Sequence, residues 1–283
     1  MKKSLWVIVV ASLLVQLHGS AAAGPLAYVV TVNQQFGVVD LESGAFLQIG
    51  APTPEPQANL VWSGGTLFSL TVSGSLVKMD PATGQVTYVG PTGLGFNAFD
   101  LAGSRGQLFV TDFSNNLYSV DPATGAASFL QTTGIAADPT VPFTLNADGT
   151  FNLCDESLYG VGGKLYATFD SFAVNPNKGD PNFLAIKTGV DPVLYQIDPS
   201  TGTASAIGPT DLQLGSTVEV GGKVYAFRLV ISDFVDGFPV GYSQLVSLDL
   251  TTGKTTFIRN IDAAAGPIVG AAPVRNLAVL RQQ

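Results

Sequence analysis

One phrase recurs five times along this chain, and it constrains the fold more than any other feature. An apolar alternating run leads into Asp-x-x-Thr/Ser-Gly, and a second alternating run follows. The copies are Val38-Val39-Asp40-Leu41-Glu42-Ser43-Gly44, Val77-Lys78-Met79-Asp80-Pro81-Ala82-Thr83-Gly84, Leu117-Tyr118-Ser119-Val120-Asp121-Pro122-Ala123-Thr124-Gly125, Leu194-Tyr195-Gln196-Ile197-Asp198-Pro199-Ser200-Thr201-Gly202 and Leu245-Val246-Ser247-Leu248-Asp249-Leu250-Thr251-Thr252-Gly253. Successive Asp residues are 40, 41, 77 and 51 apart. The chemistry is that of a tight turn: the Asp carboxylate accepts the backbone N–H two residues on, Pro presets φ near about −65°, and Gly takes the left-handed position. The flanking runs have the two-residue period of strands.

A second phrase precedes each of the last four copies. It is a Gly-rich turn followed by Leu or Val and an aromatic residue: Gly64-Gly65-Thr66-Leu67-Phe68, Gly106-Gln107-Leu108-Phe109, Gly162-Gly163-Lys164-Leu165-Tyr166 and Gly221-Gly222-Lys223-Val224-Tyr225. A short apolar strand lies upstream of each, at 60–62, 98–101, 158–161 and 217–220. Each unit therefore reads as four strands, a to d. Four-stranded units every 40–50 residues or so predict an all-β fold, a β-propeller. The N-terminal part supplies b (27–32), c (36–41) and d (45–49) but no a strand. A spare apolar strand, Pro267 to Pro273, follows the last d strand. Pairing the two ends closes the ring, gives five blades and removes exposed edges. The 77-residue interval leaves a sixth, degenerate blade as the alternative, and 276–280 is a further candidate strand.

The first 23 residues read as an address. Met1-Lys2-Lys3 is basic, Leu5 to Leu17 is almost wholly apolar, and Ala21-Ala22-Ala23 ends a small-residue segment. That order is a secretory signal with cleavage after Ala23, and the apolar run is shorter than the roughly 20 residues a bilayer span needs. Residues 24–283 then form a single propeller domain, secreted or periplasmic, with no later membrane span. The mature chain carries 11 basic and 21 acidic residues, a net charge of −10. Nucleic acid is excluded as a partner by that balance. His18, the sole histidine, leaves with the signal. Ser-His-Asp and Cys-His catalysis go with it, as do His-ligated metals. The sole cysteine, Cys154, has no cationic sequence neighbour to activate it and reads as an inert thiol.

The Leu-Tyr-x-Val-Asp-Pro-x-Thr-Gly phrase resembles the repeats of extracytoplasmic bacterial β-propellers, the quinoprotein-like and YVTN-type groups. The resemblance spans most of residues 27–275 and implies architecture. Quinoprotein repeats carry a Trp after the Thr-Gly turn that docks neighbouring blades. Here the corresponding strands are Val86-Thr87-Tyr88-Val89, Ala127-Ser128-Phe129-Leu130 and Ala204-Ser205-Ala206-Ile207. The adjacent cysteines of many quinoprotein dehydrogenases are also missing. The resemblance therefore brings no quinone cofactor with it.

Topology locates the variable surface. In a propeller the b–c and d–a connections emerge on one face, and the a–b and c–d turns on the other. Three segments that break the repeat, 134–156, 171–192 and 230–242, fall on the first face and are expected to be loops on blades 4 and 5. Such loops on a rigid scaffold concentrate function. They are acidic, with Asp138, Asp148, Asp155, Glu156, Asp180, Asp191, Asp233 and Asp236, and with Asp170 and Asp211 adjacent. Asp155, Asp170, Asn175, Asn177, Asp180, Asp233 and Asp236 are the candidate ligand-binding residues. Ca²⁺, a hard ion that takes oxygen ligands, is the cofactor this pattern suggests, with Asp180 and Asp233 as its candidate ligands. Solvated Asp- and Asn-rich turns explain the same composition. The aromatics Phe172, Phe183, Phe234, Phe238 and Tyr242 either form a contact patch or pin the inserts to the body. Asp100, Glu156 and Glu219, on or beside a strands that line the central channel, are the candidate catalytic carboxylates. The primary expectation is a non-catalytic propeller that binds a ligand or an extracellular protein through the blade 4–5 face. The alternative is a carboxylate- or calcium-dependent hydrolase or lactonase with its site at the channel mouth.

Overall fold

The structure, a computed structural model, describes residues 24–135, 147 and 151–275, except 176, 182, 185, 211–213 and 236–237. The expected signal segment, residues 1–23, and the candidate strand at 276–280 lie outside these residues. Within them, five four-stranded antiparallel sheets form a five-bladed propeller. Blade 1 holds β1 (Leu26–Thr31), β2 (Phe36–Asp40) and β3 (Phe46–Gln48). Blade 2 is β4 (Gln57–Ser63), β5 (Thr66–Thr71), β6 (Ser75–Met79) and β7 (Val86–Pro91). Blade 3 is β8 (Ala98–Ser104), β9 (Gln107–Asp112), β10 (Asn116–Val120) and β11 (Ala127–Thr132). Blade 4 is β12 (Phe151–Val161), β13 (Lys164–Val174), β14 (Ile186–Ile197) and β15 (Ala204–Pro209). Blade 5 is β16 (Ser216–Val220), β17 (Lys223–Val235), β18 (Phe238–Leu248) and β19 (Thr255–Asn260). The last strand, β20 (Ile268–Pro273), returns to pair with β1, Ala27 against Pro273 and Val29 against Ala271. It is the innermost strand of blade 1, so the two ends of the fold close the ring.

The core lies in five wedges, one between each pair of neighbouring blades. Strand alternation fills them: Ala27 and Val29 of β1 pack with Phe227 and Leu245 of blade 5, whereas Tyr28 and Val30 pack with Leu60 and Leu67 of blade 2. The other three wedges follow the same rule, with Leu70 and Leu108, Leu117 and Leu165, and Leu194 and Val246 as representative pairs. Burial on both faces of each inner strand explains the low charge of the sequence.

The repeated Asp turns all join the third and fourth strands of their sheets, so they tile one face. In each, the Asp Oδ1 accepts the backbone N–H two residues on, at 2.7 Å for Asp40 and 2.8 Å for Asp80, Asp121, Asp198 and Asp249. Gly125 shows why the turn ends in glycine. Its φ is +82°, and a Cβ there would run into the backbone of Gly90 in blade 2. The turn of blade 3 thus docks backbone-to-backbone on the outer strand of blade 2, and Ala127 N–H donates to Thr92 O across the same junction at 3.0 Å. At the ring closure Asp262 N–H donates to Gly44 O at 2.9 Å. Close glycine contact docks these neighbouring blades.

Each blade has an exposed outer edge, and each edge is blunted. β7, β11, β15 and β19 all carry a bulge at the same repeat position, leaving Val89, Leu130, Ile207 and Ile258 without an opposing residue. The outer strand of blade 1 is only three residues long. Bulged or short edges resist pairing with another chain.

The three expected loops are corrected by the structure. Residues 151–156 belong to β12, residues 171–174 and 186–192 belong to β13 and β14, and 230–242 lies almost wholly in β17 and β18. Among the described residues the inserts are largely strand extensions, with 175–185 remaining as the connector between β13 and β14. β13 and β17 run 11 and 13 residues, against six for β5 and β9. Five extra residues raise a strand by roughly 16 Å.

Hydrogen bonds hold the carboxylates of Asp121, Asp198 and Asp249 below the ordinary range. For Asp121 the first cause is the Ala123 N–H; for Asp198 and Asp249 it is the hydroxyl of Ser200 and of Thr251. A carboxylate with a lowered folded pKa contributes stability that is present above its ordinary value of 3.8 and lost as pH falls through the lower folded value. The triple variant Asp121→Asn/Asp198→Asn/Asp249→Asn is therefore expected to lose less melting temperature than wild type on acidification from about pH 5 to about pH 3. Parallel acid profiles would show that these turns do not contribute.

Candidate functional site

Two places depart from the five-fold repeat, and they lie on opposite faces. The first is formed by the tall hairpins. Residues 175–185 connect β13 to β14 through a series of Asn-centred turns. Asn175 is buried, its Oδ1 accepting from Asn177 N–H at 3.0 Å and its carbonyl from Leu184 N–H at 2.8 Å. Asn177 Oδ1 accepts from Gly179 N–H at 3.0 Å, and Asp180 N–H donates to Asn177 O at 3.0 Å. This connector reaches blade 5. Lys178 Nζ lies 2.6 Å from Asp233 Oδ2 on β17, tying the two tall hairpins together. The pair is solvent-exposed and contributes at most about 1 kcal/mol to stability; its effect is to fix the relative position of the two projections. Val235 and Val240, at the end of the β17–β18 hairpin, are exposed, and Phe183 and Tyr242 are half-buried.

The second place is the propeller axis, where β4, β8, β12, β16 and β20 meet. Asn59, held at φ +56° by a bulge in β4, is its centre. Its Nδ2 donates to Asp100 Oδ1 at 2.5 Å, to Leu101 O at 2.7 Å and to Leu158 O at 3.1 Å. Asp100 Oδ1 also accepts from Leu101 N–H at 2.7 Å, and Oδ2 from Leu158 N–H at 2.6 Å. Gly270 of β20 packs on the Asn59 backbone, where a Cβ would sit 2.5 Å from its Cα. Asn59 and Asp100 thus join the inner strands of blades 1 to 4. Both are buried, and a buried, fully bonded carboxylate of this kind holds structure together.

Above this network, on the face tiled by the Asp turns, the axis opens into a cavity of about 270 Å³. The strand register puts Trp62, Gly103, Gly160, Glu219 and Pro273 at equivalent positions around it. A Cβ on Gly160 would strike the carbonyl oxygen of Gly103, so blades 3 and 4 approach closely here. Arg275 lies 5.2 Å above the Trp62 ring, and the indole N–H donates to Pro273 O at 2.8 Å. Tyr159 also lines the cavity, and burial, followed by the neighbouring Tyr166, pushes its phenol well above the ordinary value.

The sequence-nominated residues separate accordingly. Asp100 belongs to the structural network. Glu219 is exposed at the cavity. Asp155 and Asp170 face each other in register on β12 and β13, and Glu156 follows opposite Phe169; the side chains of these three lie outside the described part, as do those of Asp191, Phe172, Phe234 and Phe238. Asp138, Asp148, Asp211 and Asp236 lie outside the described residues altogether. Asn175, Asn177 and Asp180 share the β13–β14 connector, and Asp233 meets it through Lys178. Among the described residues no three acidic, cysteine or histidine side chains gather as a metal would require, and a cation at Asp233 would compete with the Lys178 ammonium. Sequence reasoning missed Asn59, Arg105 and Arg275. Arg105 had a signal, because it occupies the first position of a turn that is Gly-Gly in blades 2, 4 and 5.

No family model and no curated relative matches the sequence. Solved structures resemble the chain only distantly. They include dihydro-heme d1 dehydrogenase NirN (15% identity, TM-score 0.35, 85% of this chain and 57% of that one). The extracellular domain of the hybrid two component system BT4673 from Bacteroides thetaiotaomicron gives 14% identity, TM-score 0.38, and 83% and 26% coverage. A structural-genomics protein of unknown function from the same organism gives 12% identity, TM-score 0.46, and 84% and 58% coverage. The chain spans less than two thirds of each. Among the described residues no helix is long and apolar enough to cross a membrane.

The axial network predicts a contrast between two carboxylates. Asp100→Asn puts an amide N–H₂ or a lone amide oxygen where two backbone and one side-chain donor converge, and should cost about 3 kcal/mol or more. That lowers the melting temperature by roughly 6–12 °C. Glu219→Gln, at an exposed position, should leave melting unchanged. Thermal unfolding of the two variants checks this, and an unperturbed Asp100→Asn protein would contradict the structural role.

Proposed function

We propose that this is a secreted, non-catalytic β-propeller that binds a ligand or an extracellular protein through the face carrying the tall hairpins of blades 4 and 5. The observation that carries the reading is the Lys178–Asp233 bridge between two hairpins that rise past the other blades. Blades 1 to 3 end this face in short b–c turns, at 32–35, 72–74 and 113–115. The projections of blades 4 and 5 therefore make a raised, acidic, asymmetric platform on an otherwise repetitive scaffold, with Val235 and Val240 exposed at one tip. Rigid projections bind with less ordering cost than free loops. The signal segment and the absence of histidine from residues 24–283 fit the same reading. The hydrolase alternative relied on Asp100, Glu156 and Glu219 meeting at the channel, whereas Asp100 is engaged by Asn59 and two backbone N–H groups.

The test replaces residues 175–185 with a two-residue Asn-Gly turn, which closes a hairpin without strain. The shortened protein should melt within a few degrees of wild type, since about 2–4 °C corresponds to 1 kcal/mol at this size. Its saturable binding to the surface of cells of the producing strain, measured with labelled protein, should fall at least tenfold. Undiminished binding by a folded, shortened protein would remove the platform from the account.

A further inference from the structure

We infer that the hairpin-bearing face docks a cationic polypeptide segment, one that seats an apolar side chain beside Phe96 and sets lysine or arginine against the carboxylates around it. The inference rests on the reading of this face as the binding surface and names the chemistry of its partner. Phe96 is 76% exposed, more than any other large apolar side chain among the described residues. It sits in a single 3₁₀ turn, Gly95–Asn97, on the link from β7 to β8. Val72, 40% exposed, opens the β5–β6 turn of blade 2. The two turns touch: a Cβ on Gly74 would run into the carbonyl of Gly95, and Thr92 N–H donates to Gly74 O at 2.9 Å. Val72 and Phe96 therefore stand on adjoining turns of the face from which the tall hairpins rise.

Carboxylates flank these turns, and no cation answers them. Glu55 Oε1 accepts from Ser73 N–H at 3.0 Å, which holds that carboxylate beside Val72. On the other side Asp112 pairs in register with Ala98, two residues beyond Phe96. Asp112 Oδ2 accepts from Tyr118 Oη at 2.8 Å and from Asn116 Nδ2 at 3.0 Å, and Oδ1 accepts from Ser114 N–H at 2.9 Å and from Asn116 N–H at 3.0 Å. Every one of these donors is neutral, and neither carboxylate forms an ion pair among the described residues. The sequence explains why. Between residues 24 and 135 the basic residues are Lys78 and Arg105 alone. Lys78 immediately precedes the end of β6 at the Asp turn, and Arg105 lies in the β8–β9 turn, so both belong to the opposite face. The hairpin-bearing face of blades 1 to 3 thus carries carboxylates with no ammonium or guanidinium of its own.

The two features together select the occupant. An exposed apolar anchor between uncompensated carboxylates suits a segment whose own apolar residue is flanked by lysine or arginine, because potentials across an interface are arranged to be complementary. Nucleic acid and anionic lipid would meet like charge here. A second copy of the chain presents the same carboxylates, so this face repels itself. Exposure alone does not mark the site: Tyr88, Phe129 and Phe257 are also exposed, but they stand at equivalent register positions on the outer strands β7, β11 and β19, away from the links of this face. They provide an internal control.

Calorimetry with a synthetic amphipathic peptide of about 18 residues, built from leucine and lysine, tests this, with oligolysine and the leucine–glutamate analogue of the same length as probes of charge and of apolar surface alone. The leucine–lysine peptide should bind saturably, oligolysine at least tenfold more weakly, and the glutamate analogue not at all. Phe96→Ser should weaken the peptide about tenfold, the loss of one phenylalanine side chain buried on binding, and should leave the melting temperature level. Glu55→Gln, which keeps the acceptor for Ser73 N–H, should weaken it about three- to fivefold at low salt, with the difference gone at about 1 M salt. Tyr88→Ser, at a comparably exposed aromatic, should bind like wild type. On cells of the producing strain Phe96→Ser should reduce binding, as the 175–185 replacement does. If that replacement abolishes cell binding while Phe96→Ser changes neither cell nor peptide binding, the platform stands and this inference falls. Peptide binding that depends on Phe96, beside undiminished cell binding by the shortened protein, would support the inference and remove the platform alone. No heat with the leucine–lysine peptide at about 1 mM would overturn the inference, as would equal binding of the glutamate analogue. So would a fall of several degrees in melting on Phe96→Ser, which would show that the chain covers this residue itself, or a dimer of the protein alone that Phe96→Ser dissolves.

Discussion

Everything in this molecule depends on closing the ring. A single blade has two apolar faces and cannot bury either alone, so its strands become stable only between two neighbours. Four of the five wedges form between blades adjacent in sequence. The fifth requires β20, near residue 270, to pair with β1, near residue 29. That pairing completes blade 1 and brings Ile268 and Ala271 into the wedge with Phe227 and Leu245. The Gly44 turn and Asp262 then lock blade 1 against blade 5. With a single cysteine in the chain, no internal disulfide is available for that task.

Closure also decides what the two faces can become. Five inner strands converge on the axis, and Asn59 with Asp100 ties β4, β8 and β12 together there. The two faces differ in character. On one side the strands of blades 4 and 5 overrun the body and are bridged by Lys178 and Asp233. On the other, the small residues Gly103 and Gly160 leave space beside Trp62, Arg275 and Glu219. The outward edges are bulged or short throughout, so growth of the sheets beyond the ring is discouraged.

The architecture was legible because propeller repeats announce themselves through turn chemistry. Asp-x-x-Thr/Ser-Gly at near-regular spacing fixed the c–d corners, and the Gly-Gly pairs fixed the a–b corners, as the positive φ values at Gly162 and Gly163 illustrate. The resemblance to extracytoplasmic propeller repeats holds at the level of fold and no further. The inserts were misread for a physical reason. β14 contains Gly189, Asp191 and Pro192, which are left without a partner at its two register shifts against β13, and Asp233 of β17 pairs with Val240 beside a bulge. The turn-favouring residues are absorbed as bulges in continuous strands rather than ending them. The Asn59–Asp100 contact was hidden for a different reason: it joins residues 41 apart through a side chain and three blades, and no local pattern encodes it.

The most direct measurement of the central claim is the solution behaviour of the chain without residues 265–283. Removing β20 opens the blade 1–5 wedge and exposes β1, six residues that are all buried in the intact ring, as an apolar edge. Light scattering and thermal unfolding should then show association and loss of the single cooperative transition, with the intact chain remaining monodisperse under the same conditions. A truncated protein that stays monomeric and melts at the intact protein's temperature would contradict closure by the C-terminal strand and, with it, the account of how this propeller is held together.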